Sequence, residues 1–490
     1  MKNPFSRQAL QTRNVFVAVL ALGLFAMAVR NVTDPDIWWH LRTGQLTLIN
    51  HGVFHIDPYS FTRAGVPWVN HEWLFDVGVF WLYHAGGWAA PILTFAAIIC
   101  AAFMLLFARC SGRPFVAGIV TIWAALASLP TWGVRPQMAS LFLASLVLLI
   151  RQQAQRNVQL WWWMLPLTLL WVNLHAEYAL GIALLVLFLV GDLLDVLLGC
   201  ESGRAVRPRL RTLGLVTLAC VAIVPLNPYG VKMYGYPLAT LRSAAMQRYI
   251  VEWFSPNFHR ADYLPLMLFI LASFVAAAYS ARRMRPSELL LLSVTLMGAL
   301  RSIRHIPIYL LVAAPLLCEA VSVWLSNRSA AKKHSQPAKP ATSALKLVLN
   351  AGLLLVCVSL VILHARSVIA NQPREQASRF PEGVVAFLSS HPVAVPLFNS
   401  YDWGGYFIWE LYPGYRVFID GRADVYGDSF LDQYSNTYSL TDSWRNSLDH
   451  WNIQTVVVPP EAPLAVALEA QAGWKTAYAD RQALVLTRTP

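Results

Sequence analysis

The chain has 490 residues, 57% of them hydrophobic and only 13% charged, with a net charge of +12. A water-soluble chain carries about 25% charged residues, so this composition excludes a wholly soluble globular protein. The basic balance does not mark a nucleic-acid binder, because the charges sit where membrane topology requires them. The six cysteines lie in or beside apolar runs without metal-ligand spacing, which argues against a zinc site or a disulfide framework.

Apolar runs predict about eleven membrane spans, at roughly 14–29, 89–108, 115–131, 138–150, 160–172, 179–199, 213–226, 264–280, 287–300, 307–325 and 347–364. Several fall short of the ~20 residues a bilayer needs, so their polar flanks are expected to continue as helix. Lys2, Arg7 and Arg13 before the first run, which ends Ala26-Met27-Ala28, also fit a cleaved signal peptide. Cleavage would leave the later topology unchanged.

Lysine and arginine set the orientation. Stretches 1–13, 109–114, 151–157, 201–212, 281–286 and 326–346 hold 19 of them in 65 residues. The alternate stretches 30–88, 132–137, 173–178, 227–263 and 301–306 hold 10 in 114 residues. The first set is therefore cytoplasmic, the N-terminus with it, and an odd number of spans leaves the chain from about 365 outside. The expected architecture is a polytopic α-helical membrane bundle (1–364) followed by a small α/β domain on the outer, periplasmic side (365–490). No internal repeat is visible, and 329–346 reads as a flexible basic loop.

The first outer loop, 30–88, is too long and too aromatic for a connector. Asp34 can cap a helix with Pro35 at its first position. Ile37, Trp38, Leu41, Leu48 and Ile49 then form one apolar face, and Gly52 ends it. Such a helix is expected to lie in the membrane interface with its tryptophans at headgroup depth. A second helix starts at Asn70-His71-Glu72-Trp73 and breaks at Gly86-Gly87. Asp34 has a plain reading as a cap and Glu72 as a helix-dipole partner. The sharper reading is that carboxylates just after a first span, facing a cavity, do acid–base or metal work. Asp34 and Asp36 would then be the ligands for Mg²⁺ or Mn²⁺. His40 and His71 are expected as interfacial polar residues or as helpers of that site.

His175 and Glu177 occupy a short outer turn, read either as a wet turn or as a second acid or ligand converging on Asp34. Arg301, Arg304 and His305 join two later spans and run against the positive-inside trend; Arg135 is a weaker case of the same kind. The long outer loop 227–263, with Glu252-Trp253-Phe254, is placed to cover a cavity. In the tail, Val393–Phe398, Val417–Ile419, Thr455–Val458 and Leu484–Leu486 read as strands, and 404–411, 428–437 and 462–472 as helices. Gly404-Gly405 is expected to make a tight turn. No glycine-rich phosphate loop follows a strand, so no nucleotide site is inferred.

Three short motifs carry a resemblance: Asp34-Pro35 after the first span, Ser400-Tyr401-Asp402-Trp403-Gly404-Gly405-Tyr406 after the last, and Arg416-Val417-Phe418-Ile419-Asp420-Gly421-Arg422 beyond it. With the layout of spans and outer loop, they resemble the C-type glycosyltransferase superfamily, and within it the catalytic subunit of oligosaccharyltransferases. The second motif is similar to that family's Trp-Trp-Asp-Tyr-Gly but departs from it at 401–406. That motif recognises a peptide acceptor in the family, so a peptide acceptor does not carry over.

The resemblance implies an enzyme of the bacterial inner membrane that moves a sugar from a polyprenyl-phosphate donor to a glycan, lipid or protein acceptor, with inversion. Asp34 would take the acceptor's proton, with Asp36 beside it. Arg304, then Arg301, with His305, would hold the donor phosphate. His40, His71, Glu72, His175, Glu177 and Asp402 would support the site or the acceptor, and Asp420 and Arg422 are weaker candidates. The rival readings are a transporter or flippase of lipid-linked saccharides, and a polymerase or ligase of surface glycans.

Overall fold

The computed structural model describes residues 10–279, 283–331, 344–441 and 443–489. The sequence from 12 to 379 forms helices α1 (Thr12–Ala28), α2 (Ile37–Ile49), α3 (Trp73–Gly86), α4 (Ala89–Arg109), α5 (Pro114–Ser128), α6 (Pro136–Ala154), α7 (Met164–Leu174), α8 (Tyr178–Leu197), α9 (Gly203–Ile223), α10 (Lys232–Arg242), α11 (Ala244–Tyr249), α12 (Leu264–Ala278), α13 (Pro286–Arg301), α14 (Ile306–Ala331) and α15 (Ala344–Arg379). Every apolar run expected to span falls on one of them. Seven helical segments among the described residues are long and apolar enough to cross a membrane, and the chain is a multi-pass membrane protein. Prolines at the first positions of α5, α6 and α13 start those helices where a missing N–H costs nothing.

The flanks do continue as helix: the run at 138–150 lies in the 19-residue α6. The run at 160–172 is instead split, a 3₁₀ segment Val158–Trp163 leading into α7. The basic loop expected at 329–346 lies largely outside the described residues, as do Lys2 and Arg7.

At 36 residues, α15 is about 54 Å long at ~1.5 Å per residue, against a bilayer core of about 30 Å. There is no break near 364, and the helix runs on to Arg379. Its C-terminal part holds the turn after α1. Gln372 Oε1 accepts from Val32 N at 2.8 Å and from Asn31 Nδ2 at 3.1 Å, and its Nε2 donates to Val32 O at 3.0 Å. The turn that carries Asp34 is therefore fixed from both sides.

Helices α2 and α3 cross closely because residue 44 is glycine; a Cβ there would lie 2.1 Å from Asp76 O. The interfacial placement of the tryptophans is not what forms. Trp38 is 2% exposed and packs edge-on against Trp88, Phe380 and Tyr406, with ring centroids 5.3, 5.3 and 5.0 Å away. The chain after α15 covers α2, so the apolar face meets protein instead of headgroups; only Leu48 and Ile49 at its end stay exposed. Loss of a side chain buried this way costs about 3–5 kcal/mol.

Beyond α15 come α16 (Glu382–Ser390), β1 (Leu397–Asn399), α17 (Tyr401–Leu411), α18 (Ala423–Tyr426), α19 (Asp428–Tyr438), α20 (Trp444–His450), β2 (Thr455–Val458), α21 (Pro463–Glu469), β3 (Trp474–Ala479) and β4 (Leu484–Arg488). The sheet runs β1-β2-β4-β3. Strand β1 is parallel to β2, with Leu397 beside Thr455, and the other pairs are antiparallel. Two expectations fail here. Val417–Ile419 is no sheet strand; Val417 makes one isolated bridge to Ser60 in the 30–88 loop. Gly404 and Gly405 do not turn but sit inside α17.

Their reason is space. A Cβ on Gly404 would lie 2.1 Å from Ile419 O, and one on Gly405 2.6 Å from Pro35 O. Gly405 lets α17 seat on the Asp34–Asp36 turn, and Gly404 lets it seat on Ile419 and Asp420 of the tail. Arg422 ties the same parts together. It pairs with Asp57 at 2.8 Å and Asp420 at 2.6 Å, between the rings of Tyr59 and Trp68. Removing one partner of such a buried pair costs about 3–5 kcal/mol. Asp420 and Arg422 thus bind the 30–88 loop to the tail, although Arg422 also reaches the cavity wall described next.

Candidate active site

The turn between α1 and α2 carries two carboxylates. Helix α2 starts two residues later than expected, at Ile37 with Asp36 and not Asp34 at its N-cap; Asp34 Oδ1 instead accepts from Asp36 N at 3.0 Å and closes the turn before it. Its Oδ2 pairs with Arg135, the residue before α6. Arg135 also pairs with Glu252, which in turn pairs with Arg304 at 2.6 Å. Four charged groups from four separate stretches form one chain, Asp34–Arg135–Glu252–Arg304. The Arg304 guanidinium lies over Trp253, 4.8 Å from its ring centre. Arg135 and Arg304 break the positive-inside trend because they are turned inward onto carboxylates.

Asp36 is held against Gly421. Burial and then the charge of Asp34 push its carboxyl up to about 7. Burial opposes ionisation of Glu252 as well, but Arg135 and Arg304 outweigh it and pull the carboxyl down to about 2.

A second cluster sits deeper between α2, α3 and the α7–α8 turn. Glu72 faces His71 at 3.1 Å, His175 at 3.4 Å and His40 at 3.7 Å, all through Nε2. Burial opposes its charge, yet these imidazoles hold it well below the usual carboxylate range. His40 Nδ1 is 2.5 Å from the fully buried Asp76, which also accepts from Asn70 Nδ2 at 2.8 Å. Burial disfavours a charged His40, but Asp76 and Glu72 prevail and raise its pKa. His40 is therefore a buried partner of carboxylates and His71 a partly buried one. His175 bonds Ser140 at 2.8 Å and lies 3.5 Å from Glu177. Its imidazole faces Glu72 and Glu177; neither distance is to Asp34.

Both clusters line one cavity of about 550 Å³. Asp34, Asp36, His40, His71, Glu72, His175, Glu177, Arg304, His305 and Asp402 all reach it. Arg301 does not. It is exposed at the end of α13, because the turn that follows rotates Arg304 inward and leaves 301 outside. Sequence reasoning underrated Arg135, passed over Glu252 except as part of a cover, and missed Asp76 and Asp424. Asp76 had a signal: a lone acid in the apolar run Trp73–Trp81 must have a buried partner. Asp424 lies in a short helix of the tail, where nothing local points to a cavity. The loop at 227–263 does border the cavity, through Tyr236, Met246, Tyr249 and Glu252 among others.

The Asp34–Asp36 pair is a poor fit to a divalent cation as it stands. Asp34 spends one oxygen on Asp36 N and the other on Arg135. Among the described residues, no three His, Cys, Asp or Glu side chains are grouped to hold a metal ion.

No protein-family profile matches the chain, and no curated protein matches it in sequence. Solved structures do match. The archaeal oligosaccharyltransferase AglB of Archaeoglobus fulgidus, in complex with an inhibitory peptide and a dolichol-phosphate, superposes with a TM-score of 0.57 at 12% identity, over 96% of this chain and 74% of that one. The fold is that of the C-type membrane glycosyltransferases. ArnT of Cupriavidus metallidurans, bound to undecaprenyl phosphate, matches with a TM-score of 0.50 at 16% identity, over 96% of this chain and 97% of that one. A third structure, the Archaeoglobus enzyme with zinc and sulfate, matches with a TM-score of 0.51 at 13% identity, over 96% and 73%. At these identities the C-type likeness speaks for the fold, and the chemistry has to be argued from the cavity.

Proposed function

We propose that this protein transfers a sugar from a polyprenyl-phosphate donor to an acceptor at the outer face of the membrane, with inversion at the anomeric carbon. The observation that carries the reading is one cavity in which a carboxylate pair, Asp34 and Asp36, stands beside two guanidiniums, Arg135 and Arg304. Proton removal and stabilisation of a phosphate leaving group need those two sets of groups side by side.

In the proposed step the acceptor oxygen attacks the anomeric carbon on the face opposite the phosphate. The carbon–oxygen bond to phosphate breaks as the new glycosidic bond forms, and the acceptor proton passes to the Asp34–Asp36 pair. Burial and the charge of Asp34 raise the Asp36 carboxyl to about 7, which suits proton uptake at physiological pH. Arg304 and Arg135 take the charge left on the lipid phosphate. A bound Mg²⁺ or Mn²⁺ would have to displace Arg135 from Asp34, and no step is assigned to it. The cavity accounts for lipid-linked neighbours' ligands without a nucleotide: dolichol-phosphate and undecaprenyl phosphate both present a phosphate on a polyprenyl chain.

The charge pattern of the loops supports eleven spans, a cytoplasmic N-terminus, a bacterial inner-membrane location and residues beyond α15 on the periplasmic side. A transfer assay with purified protein and a panel of polyprenyl-phosphate sugars tests the reading. Product formation that is lost in Asp34→Asn supports it. Movement of the lipid-linked sugar across vesicles without any covalent transfer would replace it with the flippase reading.

A further inference from the structure

Arg135, Glu252 and Arg304 line the main cavity and also a narrow neighbouring pocket of about 40 Å³, walled by apolar Met138, Leu141 and Ile308. Glu177 and Gln137 line both as well, so the charged groups form the wall between the main cavity and a slot that is apolar where α6 and α14 face it. A phosphate joined to a polyprenyl chain has the same two-sided character. Its headgroup belongs with the guanidiniums and its chain with the slot.

The place is already taken. Glu252 puts one carboxylate oxygen on each arginine, as a phosphate would. Asp34, Arg135, Glu252 and Arg304 sum to zero charge, and Glu177 adds a further carboxylate beside Arg304, so another anion cannot enter this partly buried set unless one carboxylate leaves. Asp34 is the less free to go: it is tied to Asp36 N, next to a turn gripped by Gln372 and by α17. Glu252 sits on a single 3₁₀ turn, Val251–Trp253. The backbone of that turn is held, Ser302 Oγ donating to Glu252 O at 2.8 Å and Ile303 N to Phe254 O at 2.9 Å. The side chain alone can therefore swing away. Arg304 Nε is buried and has no hydrogen-bond partner among the described residues, so a phosphate, with four oxygens to the carboxylate's two, would satisfy a donor that Glu252 leaves idle.

We infer that Glu252 is an internal stand-in for the donor phosphate: it keeps the two arginines paired in the empty protein and is displaced, side chain only, when a prenyl phosphate binds. The inference rests on the donor class proposed above. The exchange is charge-for-charge with the diester donor, one carboxylate for one phosphodiester, while a monoester brings up to about one further negative charge, and no bond is made or broken.

Farnesyl phosphate is the probe, with the full-length protein in detergent. Glu252→Gln keeps the shape but weakens the hold on both arginines, and is expected to bind the probe at least tenfold more tightly than wild type. Glu252→Asp, which keeps the charge but is too short to span both guanidiniums, is expected to fall between them and decides the matter should Glu252→Gln not fold. Farnesol, lacking the phosphate, should gain nothing in either variant. Unchanged or weaker binding of farnesyl phosphate in both variants would overturn the stand-in while leaving the donor reading intact. No binding to wild type or to either variant would overturn both.

Discussion

A Cβ on residue 421 would fall 1.6 Å from Asp36 Oδ1, so Asp36 lies where it does only because residue 421 is glycine. The Asp420-Gly421-Arg422 turn of the tail and the Asp34-Pro35-Asp36 turn of the membrane part are fitted to one another. Gly405 on Pro35 O and Arg422 on Asp57 complete the contact. The tail acts on the carboxylates by position.

That fit gives the first prediction. Gly421→Ala must push the Asp36 carboxylate aside, and a shift of about 1 Å in a reacting group can cost about 100-fold. Turnover should fall about 10- to 100-fold while donor binding, made through Arg135 and Arg304 and not through Asp36, changes less than about threefold. Equal loss of both, together with a lower melting temperature, would mean that the contact serves folding only.

Asp34→Asn keeps the oxygen that accepts from Asp36 N and so keeps the turn. It removes the charge beside Asp36 and releases Arg135 from one partner. Transfer is expected to drop about 100-fold or more, in line with general-base contributions, without loss of fold. Near-full activity in this variant would reduce Asp34 to a residue that closes the turn.

The pH dependence follows from the raised carboxyl of Asp36. Burial and Asp34 move it up to about 7, so Asp36 holds a proton below that pH and is free to accept one above it. The rate, measured as kcat/KM, should rise with pH through an apparent pKa near 7. In Asp34→Asn the repelling charge is gone, and the residual activity should show the same limb displaced to lower pH. A limb that stays in place would assign the titration to another group, such as His40.

Much of this could be read from the chain, and the failures have a common cause. Apolar runs located the helices because a membrane leaves few other uses for them. Asp34, Asp36 and the neighbourhood of Glu72 stood out as polar groups at the ends of such runs. What could not be read was rotation. Arg301 and Arg304 are three residues apart with the same charge, but the 3₁₀ turn Ile303–His305 sends only the second inward. Gly404-Gly405 looks like a turn in one dimension and is a helix in three, because a glycine pair serves equally to bend a chain or to let another chain approach. Glu252 lies in a 37-residue stretch, 227–263, with no periodicity to aim it. Its role depends on two arginines that are 169 residues apart, at 135 and 304.

The pair of arginines with the same charge but different settings supplies the last prediction. Arg304 reaches the cavity, pairs with Glu252 and stacks on Trp253; Arg301 is exposed outside it. Lysine in place of Arg304 retains the positive charge but loses the planar fork that can hold two phosphate oxygens and lie flat on an aromatic ring. Arg304→Lys should weaken donor binding by about tenfold or more and leave the acceptor's apparent affinity within about threefold, because the acceptor meets the carboxylate side of the cavity. Arg301→Ala should change neither by more than about twofold. Donor titrations at fixed acceptor, and the reverse, separate the two. A large effect of Arg301→Ala on donor binding would show that the phosphate approaches over the outer surface of α13, and the assignment of Arg304 would fall with it.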